Sequence, residues 1–156
     1  ATHRLLKLLD PAEVPSALEL LDARLEPAGD DDWEIRVETA GEARNYRLGA
    51  EALAGKQGAA ATSYGLVQDE IIGSWLAPFA GDDPEVFFYK EGTGEDDALR
   101  EGKGELLFRM RPVGRGEFQA VIDGSEVFPH KTTYFYPKLW SGLVLWRLED
   151  TAPVTD

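Results

Sequence analysis

The chain has no cysteine, one methionine and two histidines, and its 16 lysines and arginines face 29 aspartates and glutamates. Each scarcity closes off chemistry. Without cysteine there is no disulfide, no thiolate nucleophile, no thiolate zinc site and no cysteine-held iron–sulfur cluster. The histidines, His3 at a terminus expected to fray and His130 in the interior of the chain, are too few for the converging ligands of a typical catalytic zinc. A net charge of −13 repels a phosphate backbone, so nucleic acid is not an expected partner. Apolar runs are short. LLKLL after Arg4 meets Asp10-Pro11 at once, too soon for a secretory core or a span, and no other run approaches the ~20 residues a bilayer demands. A soluble, cytoplasmic protein with no metal, no cofactor and no membrane contact is the expectation.

What is present reads as one domain over residues 1–156, long enough to bury roughly two thirds of the surface of its unfolded chain. Asp10-Pro11 predicts a helix start, because Asp accepts from free amides and Pro suits the first turn; Val14, Leu18, Leu21 and Leu25 follow at helical spacing, with an end near Pro27. Trp33, Ile35 and Val37 alternate with charged residues as in a half-wet strand. A turn at 40–43 would pair Val37 with Tyr46 and Ile35 with Leu48. Tyr64, Val67, Ile71, Trp75 and Leu76 form a stripe at three-to-four spacing with Gln68, Asp69 and Glu70 opposite; this predicts the main helix, capped by Thr62 or Ser63, ended by Pro78 and Gly81, with Gly73 marking close packing. Val86-Phe87-Phe88-Tyr89, apolar on both faces, predicts an interior strand. Residues 91–105 read as a polar loop. A hairpin through 113–115 would set Met110 against Phe118, Phe108 against Ala120 and Leu106 against Ile122, and strands at 131–136 and 143–148 would complete the sheet. The fold class is α+β: a curved, mostly antiparallel sheet of about seven strands, one long helix packed on a face and a short N-terminal helix.

Several motifs fail on spacing. Gly49 to Gln57 has five residues between its glycines and Gln57 where a phosphate loop needs a magnesium-binding hydroxyl. Gly92-Thr93-Gly94 is followed by Glu95, Asp96 and Asp97, which would repel a pyrophosphate. The acidic turns at 30–32 and 82–85 lack the spacing of a calcium hand. No strained Gly-x-Ser-x-Gly elbow accompanies His130 and its neighbouring hydroxyls. The segment GLVQDEIIGSWLA is similar to the central helix of hot-dog thioesterases and dehydratases, in which a helix acid activates water against a thioester. That resemblance implies a hydrolase or dehydratase with Asp69 or Glu70 as the catalytic carboxylate; the His-Gly-Gly turn many such enzymes carry is replaced by Ala60-Ala61-Thr62.

The densest functional signal is HKTTYFYPKLWSG, residues 130–142. On a strand, Thr132, Tyr134 and Tyr136 share one face, and Pro137 then breaks the ladder ahead of Trp140. His130, Tyr134, Tyr136, Lys138 and Trp140 would form an aromatic rim offering flat contact area and hydrogen-bond donors. A barrel cavity lined by Phe87, Tyr89, Phe108 and Tyr134 is a third expectation. The leading reading is a non-catalytic acidic binding or adaptor protein for a protein partner or small molecule, with a homodimer allowed for; the alternative is the hot-dog acyl-thioester hydrolase or dehydratase.

Overall fold

The computed structural model describes residues 1–129, 131 and 132. The rim His130, Tyr134, Tyr136, Lys138 and Trp140, the strand expected at 143–148 and all but the first two residues of that expected at 131–136 lie outside the described residues. The described chain is α+β. Strands β1 (Thr2–Leu6), β2 (Glu26–Pro27), β3 (Ile35–Glu38), β4 (Ala43–Arg47), β5 (Val86–Lys90) and β6 (Leu106–Met110) form one antiparallel sheet in the order β2-β4-β3-β6-β1-β5.

The sheet departs from expectation first at its N-terminal strand. Thr2 to Leu6 is not frayed: β1 lies between β5 and β6 and all five of its residues are buried. A polar and an apolar pair alternate along it, Arg4 and Leu6 on one face, His3 and Leu5 on the other, and both faces are covered. The hairpin expected beyond Met110 does not form. β6 already has β1 and β3 as neighbours, and Arg115–Asp123 winds instead as helix α5. Phe118, Val121 and Ile122 stand at helical spacing, and local bonds support the turns: Glu117 accepts from the Gly114 amide at 2.9 Å, and Gln119 donates to Asp123 one turn on at 2.7 Å. β5, expected in the interior, is an edge among the described residues, its four apolar side chains only half-buried. The polar loop 91–105 contains a helix, α4 (Glu95–Arg100).

The β3–β4 hairpin forms two residues out of the expected register, with Ile35 opposite Tyr46 and Val37 opposite Arg44. Thr39 tightens the turn. Its hydroxyl accepts from the amides of Gly41 (3.3 Å) and Glu42 (3.1 Å), while its own amide donates to the Glu42 carbonyl (2.8 Å). A shift of two keeps each side chain on its face, so Ile35 and Val37 still enter the core.

Asp10 caps the first turn as expected, accepting from the Ala12 amide at 2.9 Å, and the turn at Pro11–Glu13 leads into α1 (Val14–Arg24). Ala17, Leu18 and Leu21 bury against the sheet. The main helical segment is in three pieces: α2 (Ser63–Gly65), a π-helix (Leu66–Trp75) and α3 (Ala77–Ala80). Thr62 caps it through the Gly65 amide (3.1 Å) and Gly81, at φ 84°, ends it, but Pro78 sits in the first turn of α3 rather than stopping the helix. Leu66, Ile71 and Leu76 are fully buried five residues apart, as are Val67 and Ile72. The apolar pattern therefore has the i, i+5 period of a π-helix, closed by the bond from the Leu76 amide to the Ile71 carbonyl (2.9 Å). Trp75 turns to the side, half-buried, with Arg24 over its ring at 5.0 Å. Gly73 is exposed and packs on no strand.

Candidate functional site

Alternation along the strands sorts the sheet into two faces. Leu6, Ile35, Val37, Tyr46, Leu106, Phe108 and Met110 join α1 and the π-helix in the main core, while Leu5 and Leu107 pack with Ala98 and Leu99 of α4 on the other side. Phe108 thus lies on the opposite face from Phe87 and Tyr89, and the three share no cavity.

Beside α4 the second face carries a charged row. Arg36 and Arg109 are direct partners across β3 and β6, an arrangement that like charge disfavours. Glu38 resolves it by accepting from Arg36 Nε with one oxygen and from Arg109 Nε with the other, both at 2.7 Å. Arg109 also reaches Glu95 Oε1 at 3.4 Å and pairs with Asp96. Burial on its own lowers the Arg109 guanidinium, but the hydrogen bond and charge of Glu38, with Asp96 and Glu95, raise it overall.

Glu95 is the residue that the sequence reading passed over. Its carboxylate is buried and accepts from the amides of Gly92 (2.7 Å), Thr93 (3.0 Å) and Gly94 (3.1 Å). Gly92 and Gly94 hold φ of 74° and 112°, the left-handed turns that aim successive amides at one point. The Gly-Thr-Gly turn is an anion nest after all, and its anion is the acid next in the chain. Burial is the largest influence on the Glu95 carboxyl and pushes it up, yet backbone amides and nearby His3 bring it below the usual carboxylate range.

His3 stands behind Glu95. Its Nδ1 accepts from the Met110 amide at 3.1 Å, so the neutral ring carries its proton on Nε2, which finds no hydrogen-bond partner and lies 4.0 Å from Glu95 Oε1. Burial, then the Arg109 cation, lowers the imidazole below its ordinary value, against the opposing pull of Glu95 and Glu91. At 3% exposure its ring is enclosed. The row holds α4 in place.

What it holds in place is one wall of a cleft. The β3–β6 ladder ends at Glu38 and Leu107, and beyond it the two chains diverge. The space between the turn at Thr39, Ala40 and Gly41, the end of α4 at Leu99 and Arg100, the chain entering β6 at Gly104 and Glu105, and the start of α1 at Pro11 and Val14 is a cleft of about 470 Å³. A smaller lobe of about 290 Å³ continues past Asp96. A Cβ at Gly41 would meet nothing within 4 Å. Glu105 is fixed by accepting from the Leu8 amide at 2.7 Å.

On the core face Arg4 is fully buried, its guanidinium 4.8 Å from the Tyr64 ring and 5.5 Å from that of Phe88, donating to the Thr2 carbonyl (3.0 Å) and to Gln68 (3.4 Å). Burial lowers it to about 10, so it stays charged at neutral pH. Asp69 is exposed, and Glu70, 36% exposed, takes the Lys56 ammonium at 2.6 Å. The acidic turn at 30–32 is spent locally, Asp32 on the Gly29 amide and Arg47, Asp30 on Asn45. Among the described residues no group of three or more His, Asp or Glu is disposed to hold a metal ion, and no helix is long and apolar enough to cross a membrane. No family model, no curated protein and no solved structure matches the chain.

Proposed function

We propose that the chain is a non-catalytic binding domain whose ligand or partner seats in the cleft between the Thr39–Gly41 turn, α4 and the start of α1. The observation that carries this reading is the cleft itself: about 470 Å³ walled mostly by apolar and small residues, within the size range of ligand sites. Its α4 wall is fixed from behind by the Glu95 and Arg109 contacts. Such a wall lets a ligand bind without first ordering the protein. The nearby ionisable groups favour binding over catalysis, because Glu38, Glu95 and Arg109 are spent on one another and His3 is enclosed. A helix-carboxylate hydrolase would need Asp69 or Glu70 in a dry pocket, whereas Asp69 is exposed and Glu70 is paired with Lys56.

Nile red, a neutral apolar dye, tests the cleft directly. Gly41 has a φ that any residue adopts and open space where a side chain would stand, so Gly41→Leu adds bulk at the mouth with the fold intact. The wild-type protein should enhance the dye's fluorescence, and Gly41→Leu, with unchanged far-ultraviolet circular dichroism, should weaken that binding by about tenfold or more. Equal dye binding by both proteins removes the cleft as the site.

A further inference from the structure

The charge distribution around this cleft selects among occupants. Where its lining is apolar, the residues interleaved with it are acidic: Glu13 between Pro11 and Val14, Glu42 after Gly41, Glu101 between Arg100 and Gly102, all exposed, with half-buried Glu105 and exposed Asp96 in the two lobes. Ion pairs take up part of this charge, Arg100 with Asp97 at 2.8 Å, Lys103 with Glu101 at 3.6 Å, Arg44 with Glu42 at 3.0 Å and Arg109 with Asp96, and the acids still exceed the cations by Glu13 and Glu105. Behind the rim stands a molecule of net charge −13. A cleft with low-dielectric walls and an excess of carboxylates at its edge concentrates negative potential at its mouth.

Resting on the binding role proposed above, we infer that the occupant is a segment of a partner protein that inserts one or two apolar side chains and flanks them with lysine or arginine. The apolar interior supplies the anchor and the acidic rim chooses its neighbours. An acidic ligand would meet the same rim as a like charge. The carboxylates at the rim remain hydrated until the partner arrives, so their part is to steer encounter and reject wrong partners more than to add affinity; binding should therefore depend strongly on salt.

Three fluorescein-labelled peptides separate the possibilities by fluorescence anisotropy: Lys-Lys-Leu-Leu-Lys-Lys, Ser-Ser-Leu-Leu-Ser-Ser and Glu-Glu-Leu-Leu-Glu-Glu. The basic peptide should bind at least about tenfold more tightly than the neutral one and lose about tenfold between roughly 0.05 M and 0.5 M salt, with no measurable binding of the acidic peptide. Ala40→Trp and Gly41→Leu, which crowd the mouth from two positions, should each abolish the preference. Glu13→Lys with Glu101→Lys should weaken the basic peptide while leaving Nile red bound. Equal binding of all three peptides by a protein that still takes the dye at the cleft overturns the basic partner and leaves the cleft standing. Loss of any Gly41 dependence for dye and peptide alike overturns both. Octylammonium competing as well as the whole peptide would assign the cleft to a small cationic amphiphile and overturn the partner segment.

Discussion

Among single residues Arg4 carries the most concentrated energy. A fully buried cation is tolerated only where its surroundings replace water, and here two aromatic faces, a carbonyl and an amide oxygen do part of that work. The guanidinium shape matters, because its carbon lies over the Tyr64 and Phe88 rings while its N–H edge donates to the Thr2 carbonyl and to Gln68; an ammonium is a compact point charge that cannot spread over both rings in this way and holds its own hydration shell more tightly. Arg4→Lys should accordingly destabilise the fold by about 2 kcal/mol or more despite conserving charge, read as a lowered urea midpoint with unchanged slope. A midpoint within about 0.3 kcal/mol of wild type would mean that the rings do not select the guanidinium. Glu38 and Glu95 illustrate the opposite case, carboxylates whose positions follow from what they neutralise. Their roles were hidden in the sequence, where Glu38 alternates as a solvent-side strand residue and Glu95 opens an acidic run; only the register that sets Arg36 opposite Arg109 and the left-handed glycines at 92 and 94 turn them into bridges.

At the scale of elements, the helical segment from Ser63 to Ala80 shows how a readable signal can be read with the wrong period. Leu66-Val67 and Ile71-Ile72 are doublets five apart, with Leu76 next in the series, and the three polar residues between the first two doublets fill the outer side of a π-turn. Scored against an α-helix, the same residues approximate a three-to-four stripe, so the buried set came out nearly right and the winding did not. The glycines test this difference. A Cβ on Gly65 would stand 2.1 Å from the Ala59 carbonyl oxygen, a collision with backbone, so Gly65→Ala should cost about 3 kcal/mol. Exposed Gly73 in an α-helix would gain up to about 1 kcal/mol as alanine; in the π-helix its Cβ comes 3.2 Å from the Gln68 carbonyl five residues back, so Gly73→Ala should stay within about 0.5 kcal/mol of wild type by urea denaturation. A full α-helical gain at Gly73 would show that the segment is not wound this way in solution. The failed second hairpin has a different origin. Phe118, Ala120 and Ile122 alternate as in a strand while Phe118, Val121 and Ile122 stand at helical spacing, and the strand is closed off by a non-local fact, that β1 has already taken the free side of β6. The α+β class and most of the core were legible from periodicity; strand order was not, because nothing in Thr2 to Leu6 announces a partner about a hundred residues away.

For the whole molecule the two buried titrating groups on the α4 face should make the fold sensitive to acid in a defined order. His3 faces Glu95 on α4, Arg109 on β6, Glu91 after β5 and the amino terminus, and the balance, led by burial, lowers its proton affinity in the folded state. A base with a depressed folded value binds fewer protons than the unfolded chain just below the ordinary imidazole value. Its contribution is therefore complete above about pH 6.5 and lost as pH falls from there toward the lower folded value. Glu95 is likewise depressed, so its stabilisation is present above about pH 4.5 and lost as acid titrates it in the native state. A separate effect works the other way, since lowering the pH toward the isoelectric point near 4.5 relieves the self-repulsion of a chain carrying −13. A difference measurement cancels that background. The stability advantage of wild type over His3→Gln, from urea melts at fixed salt, should shrink as pH falls from about 7 to about 5, while both proteins share the later loss through Glu95. An advantage that grows over the same interval would mean that His3 gains a proton on folding and closes the 4.0 Å gap to Glu95. Because Glu95 opens α4 and Leu99 ends it against the cleft, the same loss should appear as weaker Nile red binding below about pH 4.5, preceding global unfolding if the wall of the cleft is held as the geometry indicates.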